Sequence, residues 1–323
     1  MVKNHSFTLS VIVPVFNEAA GVEAFHRSLT SVLETLDTKS YEIIYCDDGS
    51  TDGTSDVIRT IHATNSQVRL ISLSRNFGKE YALTAGIHQA NGDAIITIDG
   101  DGQHPVDRIP AFIEAWQDGA QVVVGLRKST SGGSSPKELR SKLFYSLFNK
   151  VTGVKLVPGA SDFRLIDAEV QQVFNDLPET DRITRGLIDW LGFKRATVQF
   201  TVRNRDFGTA TYSTRQLIRL AVNSFVSLSP APLYVFGYIG VVITILSALL
   251  GVTVGIEQLL LRDPLGWKFS GTAFLAIGLL FLVGIILISQ GILSLYVSRI
   301  HNQTKQRPLY IINKAHSIGV DQK

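Results

Sequence analysis

The chain has one cysteine, Cys46, among 323 residues, which excludes an intramolecular disulfide and any zinc site built on thiolates. A reducing compartment is thereby permitted. The seven histidines never recur at metal-ligand spacing. Excess charge is scarce too: 31 Lys plus Arg stand against 28 Asp plus Glu, and a net +3 gives no field of the kind that holds a phosphate backbone. Nucleic acid is therefore not an expected partner. Neither Gly-x-Gly-x-x-Gly nor Gly-x-x-x-x-Gly-Lys occurs, which argues against a dinucleotide dehydrogenase and a P-loop NTPase. No internal repeat is evident. The first apolar run, Phe7 to Phe16, contains Pro14 and leads into Asn17 and Glu18, so no signal peptide is expected.

What the chain has in excess is apolar sequence, with a mean hydropathy of +0.18. No charged side chain occurs from Leu220 to Ile256 or from Phe269 to Ser298. A helix of ~20 residues crosses ~30 Å of hydrocarbon, so these runs predict two membrane spans, about 233–256 and 271–295, joined by a short polar loop. Arg215, Arg219, Arg299, Lys305, Arg307 and Lys314 flank the outer ends, against Arg262 and Lys268 in the loop. The bias predicts a multi-pass protein of the cell inner membrane with both termini cytoplasmic. The expected organisation is a catalytic domain over 1–212, a juxtamembrane amphipathic helix over 213–231, the two-helix hairpin within 232–298 and a cytoplasmic tail over 299–323.

Ahead of the spans, β-rich runs at Leu9–Val15, Glu42–Cys46, Val68–Leu73, Ala94–Ile98 and Gln121–Val124 alternate with segments of helical spacing at Glu18–Leu36, Thr54–Ala63, Lys79–Ala90 and Val106–Trp116. That rhythm predicts an α/β domain with a mostly parallel, Rossmann-like sheet. Beyond a Ser/Gly run at Ser129–Ser135, Lys137–Lys150 carries Leu139, Leu143, Phe144, Leu147 and Phe148 on one helical face. This suits either an interfacial helix on anionic lipid or an ordinary helix packed on the sheet.

In open parallel sheets, ligands bind beyond the carboxyl ends of the strands. Here those ends are acidic: Asp47-Asp48-Gly49-Ser50 after the second strand, and Asp99-Gly100-Asp101-Gly102-Gln103-His104-Pro105 after the fourth. Two carboxylate clusters at neighbouring strand ends repel unless a cation or hydrogen-bond donors lie between them. Oxygen ligands favour Mg²⁺ or Mn²⁺, which complete their shells with phosphate oxygens, and so point to a nucleoside diphosphate. Asp47 to Gly53 also fits a plain helix-capping turn.

Val11 to Glu18, Asp47 to Thr54, Ser74 to Glu80 and Asp99 to Pro105, in that order and spacing, resemble family 2 glycosyltransferases of the GT-A fold. Gly125-Leu126-Arg127, Ser161 to Asp167 and Arg307 to Ile311 extend the likeness to the polyprenyl-phosphate branch, which includes dolichol-phosphate mannosyltransferases and bactoprenol glucosyltransferases. The resemblance implies inverting transfer of a sugar, UDP-glucose or a related donor being the first candidate, to undecaprenyl or another polyprenyl phosphate. It implies that Pro14, Phe16, Glu18 and Asp48 surround the donor base and ribose near Cys46, with Asp99 and Gly100 continuing that surface. Asp101 and Gln103 match metal ligands, Arg127 and Arg205 match phosphate-holding residues, and Asp162 matches the catalytic Asp, as base or as acceptor-orienting group. Arg164, two residues on, suits the acceptor phosphate. A homo-oligomer and a small membrane flippase that moves the product are further implied partners.

The chain departs from the family pattern in three places. Gly100 and Gly102 loosen the acidic motif, Ala210-Thr211 stands where Ser-Lys is usual, and Leu295 stands where Glu is often found. The change at Thr211 removes one phosphate-binding cation and leaves room for a nucleotide-sugar sensor without turnover. A processive polysaccharide synthase, the third reading, needs a Gln-x-x-Arg-Trp motif that is lacking here.

Overall fold

The structure, a computed structural model, describes residues 6–128, 159–180, 182–201, 242, 245, 249, 256 and 271–320. Two compact units divide the chain: Met1–Tyr212 together with Arg307–Lys323, and Ser213–Gln306. The expected interfacial helix, the Ser/Gly run, the juxtamembrane helix at 213–231, the first span and Arg205 lie outside the described residues.

In the first unit the strands β1 (Thr8–Val15), β2 (Ser40–Asp47), β3 (Val68–Ser72), β4 (Ala94–Thr97), β5 (Val122–Arg127), β6 (Ala160–Asp167) and β7 (Arg195–Phe200) form one sheet of order β3-β2-β1-β4-β6-β5-β7. Helices α1 (Val22–Leu33), α2 (Thr54–Thr64), α3 (Lys79–Gln89), α4 (Ile109–Gln117), α5 (Ala168–Asn175) and α6 (Thr184–Trp190) flank it. The five predicted strands are present. The sheet is mostly parallel, as expected, and among the described strands β6 alone runs antiparallel, to both β4 and β5.

The central strand shows why the sequence folds this way. Val11, Val13 and Val15 of β1 enter one core cluster with α1 and α4, while Ile12 enters a second cluster with α3 and α5. Successive strand residues point to opposite faces, so a continuous β-branched run covered on both sides becomes a central strand. Each such side chain contributes about 1.5–3 kcal/mol by burial. Close approach of α3 depends on Gly86, where a Cβ would stand 2.3 Å from Ile12 Cγ2 and 2.8 Å from Cys46 Sγ. A residue larger than glycine at position 86 would push α3 off the sheet.

The outer edge of β3 is covered by the chain's own C-terminal segment. Leu70 and Ile318 exchange backbone hydrogen bonds at 3.1 and 2.8 Å, Ser74 donates to Ile311 at 2.9 Å, and Asn313 donates to Ser72 at 2.8 Å. His88 Nδ1 and the Tyr310 hydroxyl lie 2.9 Å apart, which fixes the segment to α3 as well. An unpaired edge would invite pairing with other chains, and this strap closes it.

In the second unit, α7 (Gly271–Thr304) is one 34-residue helix, longer than the expected 271–295 and continuing through Arg299. Among the described residues, no helix is long and apolar enough to cross a membrane.

Candidate active site

The site gathers at the carboxyl ends of β1, β2 and β4, where the loops are stitched to one another. Asn17, held at φ 55, donates its N–H to Ser50 Oγ and accepts from Thr51, both at 2.9 Å. Glu18 N–H reaches Thr54 Oγ1 at 2.9 Å and Ala19 N–H reaches Asp52 Oδ2 at 3.0 Å. Asp47 accepts from Ser50 N–H at 2.9 Å and from the Ser55 hydroxyl. The acidic motif after β2 is therefore in good part a capping turn, one of the two readings its sequence allows. Helix α1 accordingly begins at Val22 rather than Glu18, because the first residues of the predicted segment serve this loop.

Asp48 is buried and accepts from the N–H groups of Phe77, at 2.7 Å, and Gly78, at 2.9 Å. Burial pushes its carboxyl up from the ordinary range, and the two backbone bonds oppose that shift. Gly78 adopts φ 109, a left-handed value that favours glycine. Together these groups set the start of α3 and hence the position of Lys79.

Sheet register brings the next two carboxylates together. β4 and β6 run antiparallel with Thr97 opposite Arg164, so two steps toward the carboxyl end of β4 place Asp99 opposite Asp162. The Thr97 hydroxyl donates to the Asp162 carbonyl at 2.6 Å and holds that end of the ladder. Like charges facing each other would destabilise the pair, but Lys79 Nζ lies between them, 2.6 Å from Asp99 Oδ1 and 2.8 Å from Asp162 Oδ2. Burial pushes the Asp162 carboxyl up, and the Lys79 ammonium more than offsets this and holds it at about 2. For Lys79, burial lowers the pKa and the two carboxylates raise it well above the usual lysine value.

The other oxygen of Asp99 faces His104, with Oδ2 to Nδ1 at 3.7 Å, too long for a hydrogen bond. His104 is 3% exposed, packed on Phe163 and Phe200, and neither ring nitrogen has a hydrogen-bond partner among the described residues. Burial lowers its pKa despite the carboxylates nearby, so the ring is neutral at neutral pH and the contact is not an ion pair. One ligand atom from each of Asp99, Asp101 and His104 can be chosen so that all lie within 4.8 Å of one another. Two carboxylates and an orphaned neutral imidazole form a donor set that fits a divalent cation. Gln103 sits between them and gives its backbone N–H to Asp101 Oδ1 at 3.1 Å. Beside the cluster, a pocket of about 110 Å³ is lined by Glu18, Gly21, Ala24, Gly100, Asp101 and His104, among others.

Of the other expected site residues, Pro14 is half-buried at the end of β1, Phe16 is 44% exposed, and Arg127 is exposed at the end of β5. Cys46 is fully buried in the second core cluster, and burial pushes its thiol well up, so its side chain packs in the core beneath the site. One expectation is corrected. Arg164 does not face an acceptor. It is 2% exposed, its guanidinium binds the Asp189 carboxylate at 2.8 and 3.4 Å, and its Nε donates to the Ser161 carbonyl. Because β6 runs antiparallel, two residues beyond Asp162 lead about 7 Å deeper into the sheet rather than along its mouth. Sequence reasoning gave no role to Lys79 or His104. Both lie inside the quoted motifs, and their placement there was the only signal.

The profile of Glycosyl transferase family 2 matches residues 10–174. The chain is 36% identical over 308 residues to the SfII prophage-derived bactoprenol glucosyl transferase of Shigella flexneri, covering 95% of this chain and 98% of that one. Identity is 36% over 306 residues, 94% of both chains, with the uncharacterized glycosyltransferase sll0501 of Synechocystis sp.. It is 34% over 306 residues with the prophage bactoprenol glucosyl transferase homolog of Escherichia coli K12, covering 95% of this chain and 98% of that one. A mostly parallel sheet with acidic strand ends and likeness along nearly the whole chain lead to one assignment: the chain is a glycosyltransferase and belongs to glycosyl transferase family 2, with the GT-A fold.

Proposed function

We propose that the chain transfers a sugar, with inversion, from a nucleotide diphosphate donor to the phosphate of a polyprenyl lipid at the cytoplasmic membrane face. UDP-glucose and undecaprenyl phosphate are the first pair to test, since several relatives carry the name bactoprenol glucosyl transferase. The observation that carries the reading is the meeting of Asp99, Asp101 and His104 with Lys79 and Asp162 beyond the carboxyl end of β4. One group of residues suits a metal-bound diphosphate, and the other lies where a second substrate would attack.

Asp101, with Asp99, His104 and the neighbouring Gln103, would hold the divalent cation, and Arg127 would add charge at the phosphates. Bound there, Mn²⁺ or Mg²⁺ supplies Lewis-acid stabilisation of the diphosphate leaving group. The imidazole favours Mn²⁺ over Mg²⁺. Pro14, Phe16 and Glu18 shape the donor end of the cleft. A phosphate monoester, with a second pKa near ~6, is largely dianionic at neutral pH and attacks without a strong base. Asp162, ionised and paired, then orients the acceptor rather than removing a proton, since a useful base needs a pKa near the working pH.

The lipid acceptor requires membrane attachment, and spans at 233–256 and 271–295 supply it in this reading. The charge-free sequence from Gly271 to Ser298 supports the second of them. Incubating the purified full chain with radiolabelled nucleotide sugars, Mn²⁺ and undecaprenyl phosphate should move label into a butanol-extractable lipid. Donor binding without any labelled lipid across the panel would instead indicate a sensor.

A further inference from the structure

Resting on the proposed transfer to a lipid phosphate, we infer that the Lys79 ammonium is the anchor for the acceptor's phosphate monoester. A dianion approaching Asp162 meets a carboxylate and is repelled unless a cation stands between them. The arginine that the sequence offered for this duty, Arg164, is committed to buried Asp189. Lys79 forms an ion pair with Asp162 at 2.8 Å and, ahead of Arg185 and Arg164, is the cation that most favours its ionised form.

Its chemistry fits the task. An ammonium has three N–H donors, of which two go to Asp99 and Asp162, and the third is left for a phosphate oxygen. The Lys79 side chain is 44% exposed and that of Asp162 25%, so a solute can reach both. A lysine is a point charge on a flexible stem, and it can follow a phosphate from ground state to product without leaving Asp99. Its base is fixed, because Asp48 binds the N–H groups of the two residues before it.

In the step itself, an acceptor phosphate oxygen forms a bond to the anomeric carbon while the bond from that carbon to the donor diphosphate breaks. The electron pair departs with the nucleoside diphosphate. Lys79 keeps its proton throughout and neutralises the incoming charge.

The test uses the full chain with Lys79→Met and Lys79→Arg. In one arm the acceptor is undecaprenyl phosphate in phosphatidylcholine vesicles, and in the other inorganic phosphate is titrated as a soluble competitor. In Lys79→Met, the acceptor KM should rise about 10- to 100-fold and phosphate competition should weaken by a similar factor. The Kd of the nucleotide sugar with Mn²⁺, measured calorimetrically, should move less than about twofold. Lys79→Arg should recover most of the acceptor KM. An unchanged acceptor KM with weakened donor binding would place Lys79 on the donor and overturn the inference. Loss in the vesicle arm alone would overturn it too, because phosphate would not then be the group recognised. Should Lys79→Met fail to fold, Lys79→Gln gives the same readings. Absence of transfer by the wild type to any prenyl phosphate defeats the proposed function, and calorimetric binding of inorganic phosphate to wild type and variant still reads Lys79.

Discussion

Two acidic strand ends, alike in sequence, do opposite work in the folded chain. After β2, Asp47, Asp48 and Asp52 spend their oxygens on the protein's own N–H and hydroxyl groups, tying three loops together. After β4, Asp99 turns one oxygen to Lys79 and the other toward an unpartnered imidazole, while Asp101 lines the pocket. The difference teaches that carboxylates with backbone donors in reach build a site, and carboxylates that meet side-chain cations and orphaned ligands operate it. Removing the first kind should cost stability, and removing the second kind activity.

Substitutions can break that division. The largest effect is expected deep in the sheet, where Arg164→Met strands the buried Asp189 carboxylate with Arg195 at 3.5 Å and should cost about 3–5 kcal/mol in denaturant unfolding. If activity falls while stability holds, Arg164 belongs with the operating residues after all. Next, Asp101→Ala should lower turnover by about 10²–10³ and weaken Mn²⁺ binding seen by electron paramagnetic resonance, with the thermal midpoint nearly unmoved. Third, acid should separate the strap from the carboxylates. Burial holds His88 at about 4 against an ordinary 6.5, and its Nε2 has no hydrogen-bond partner among the described residues. Between those values the unfolded chain takes up a proton that the folded domain refuses, so stability should fall by up to about 3 kcal/mol as the pH drops from 6.5 to 4. His88→Phe should flatten that window and leave the lower one, where Asp162 protonates near 2 and loses its bond to Lys79. Smallest, Asp47→Ala should cost about 1–3 kcal/mol and leave Mn²⁺ affinity unchanged; a lost metal would show that the two strand ends are one site.

Much of this was legible in the sequence. The apolar runs of β1 and β2 announce central strands because both of their faces are buried, and the acidic motifs fall at strand ends as expected. β6 was hidden because Arg164 interrupts its apolar pattern, whereas the polar and apolar alternation of β7, Arg195 to Phe200, is itself a strand signal that the reading passed over. Missing that β6 is antiparallel also misplaced Arg164, since strand direction decides whether the next same-face residue lies at the mouth or in the interior. Lys79 could not be assigned from spacing, because its partner Asp162 is 83 positions away and only the β4 to β6 register brings it near. The turn chemistry of Asp47 to Gly53 was readable as one alternative, and the donors that chose it come from Asn17 to Ala19 on another strand's loop.

The strap along β3 has a consequence for biosynthesis. Chain order puts Ser213–Gln306 between the bulk of the catalytic unit and the Arg307–Lys323 stretch that finishes its sheet border. A ribosome therefore releases the last piece of the enzyme's fold only after the whole apolar stretch has emerged. Until then the nascent domain carries an open β3 border, and a product cut short before Arg307 would lack the segment that pairs with it.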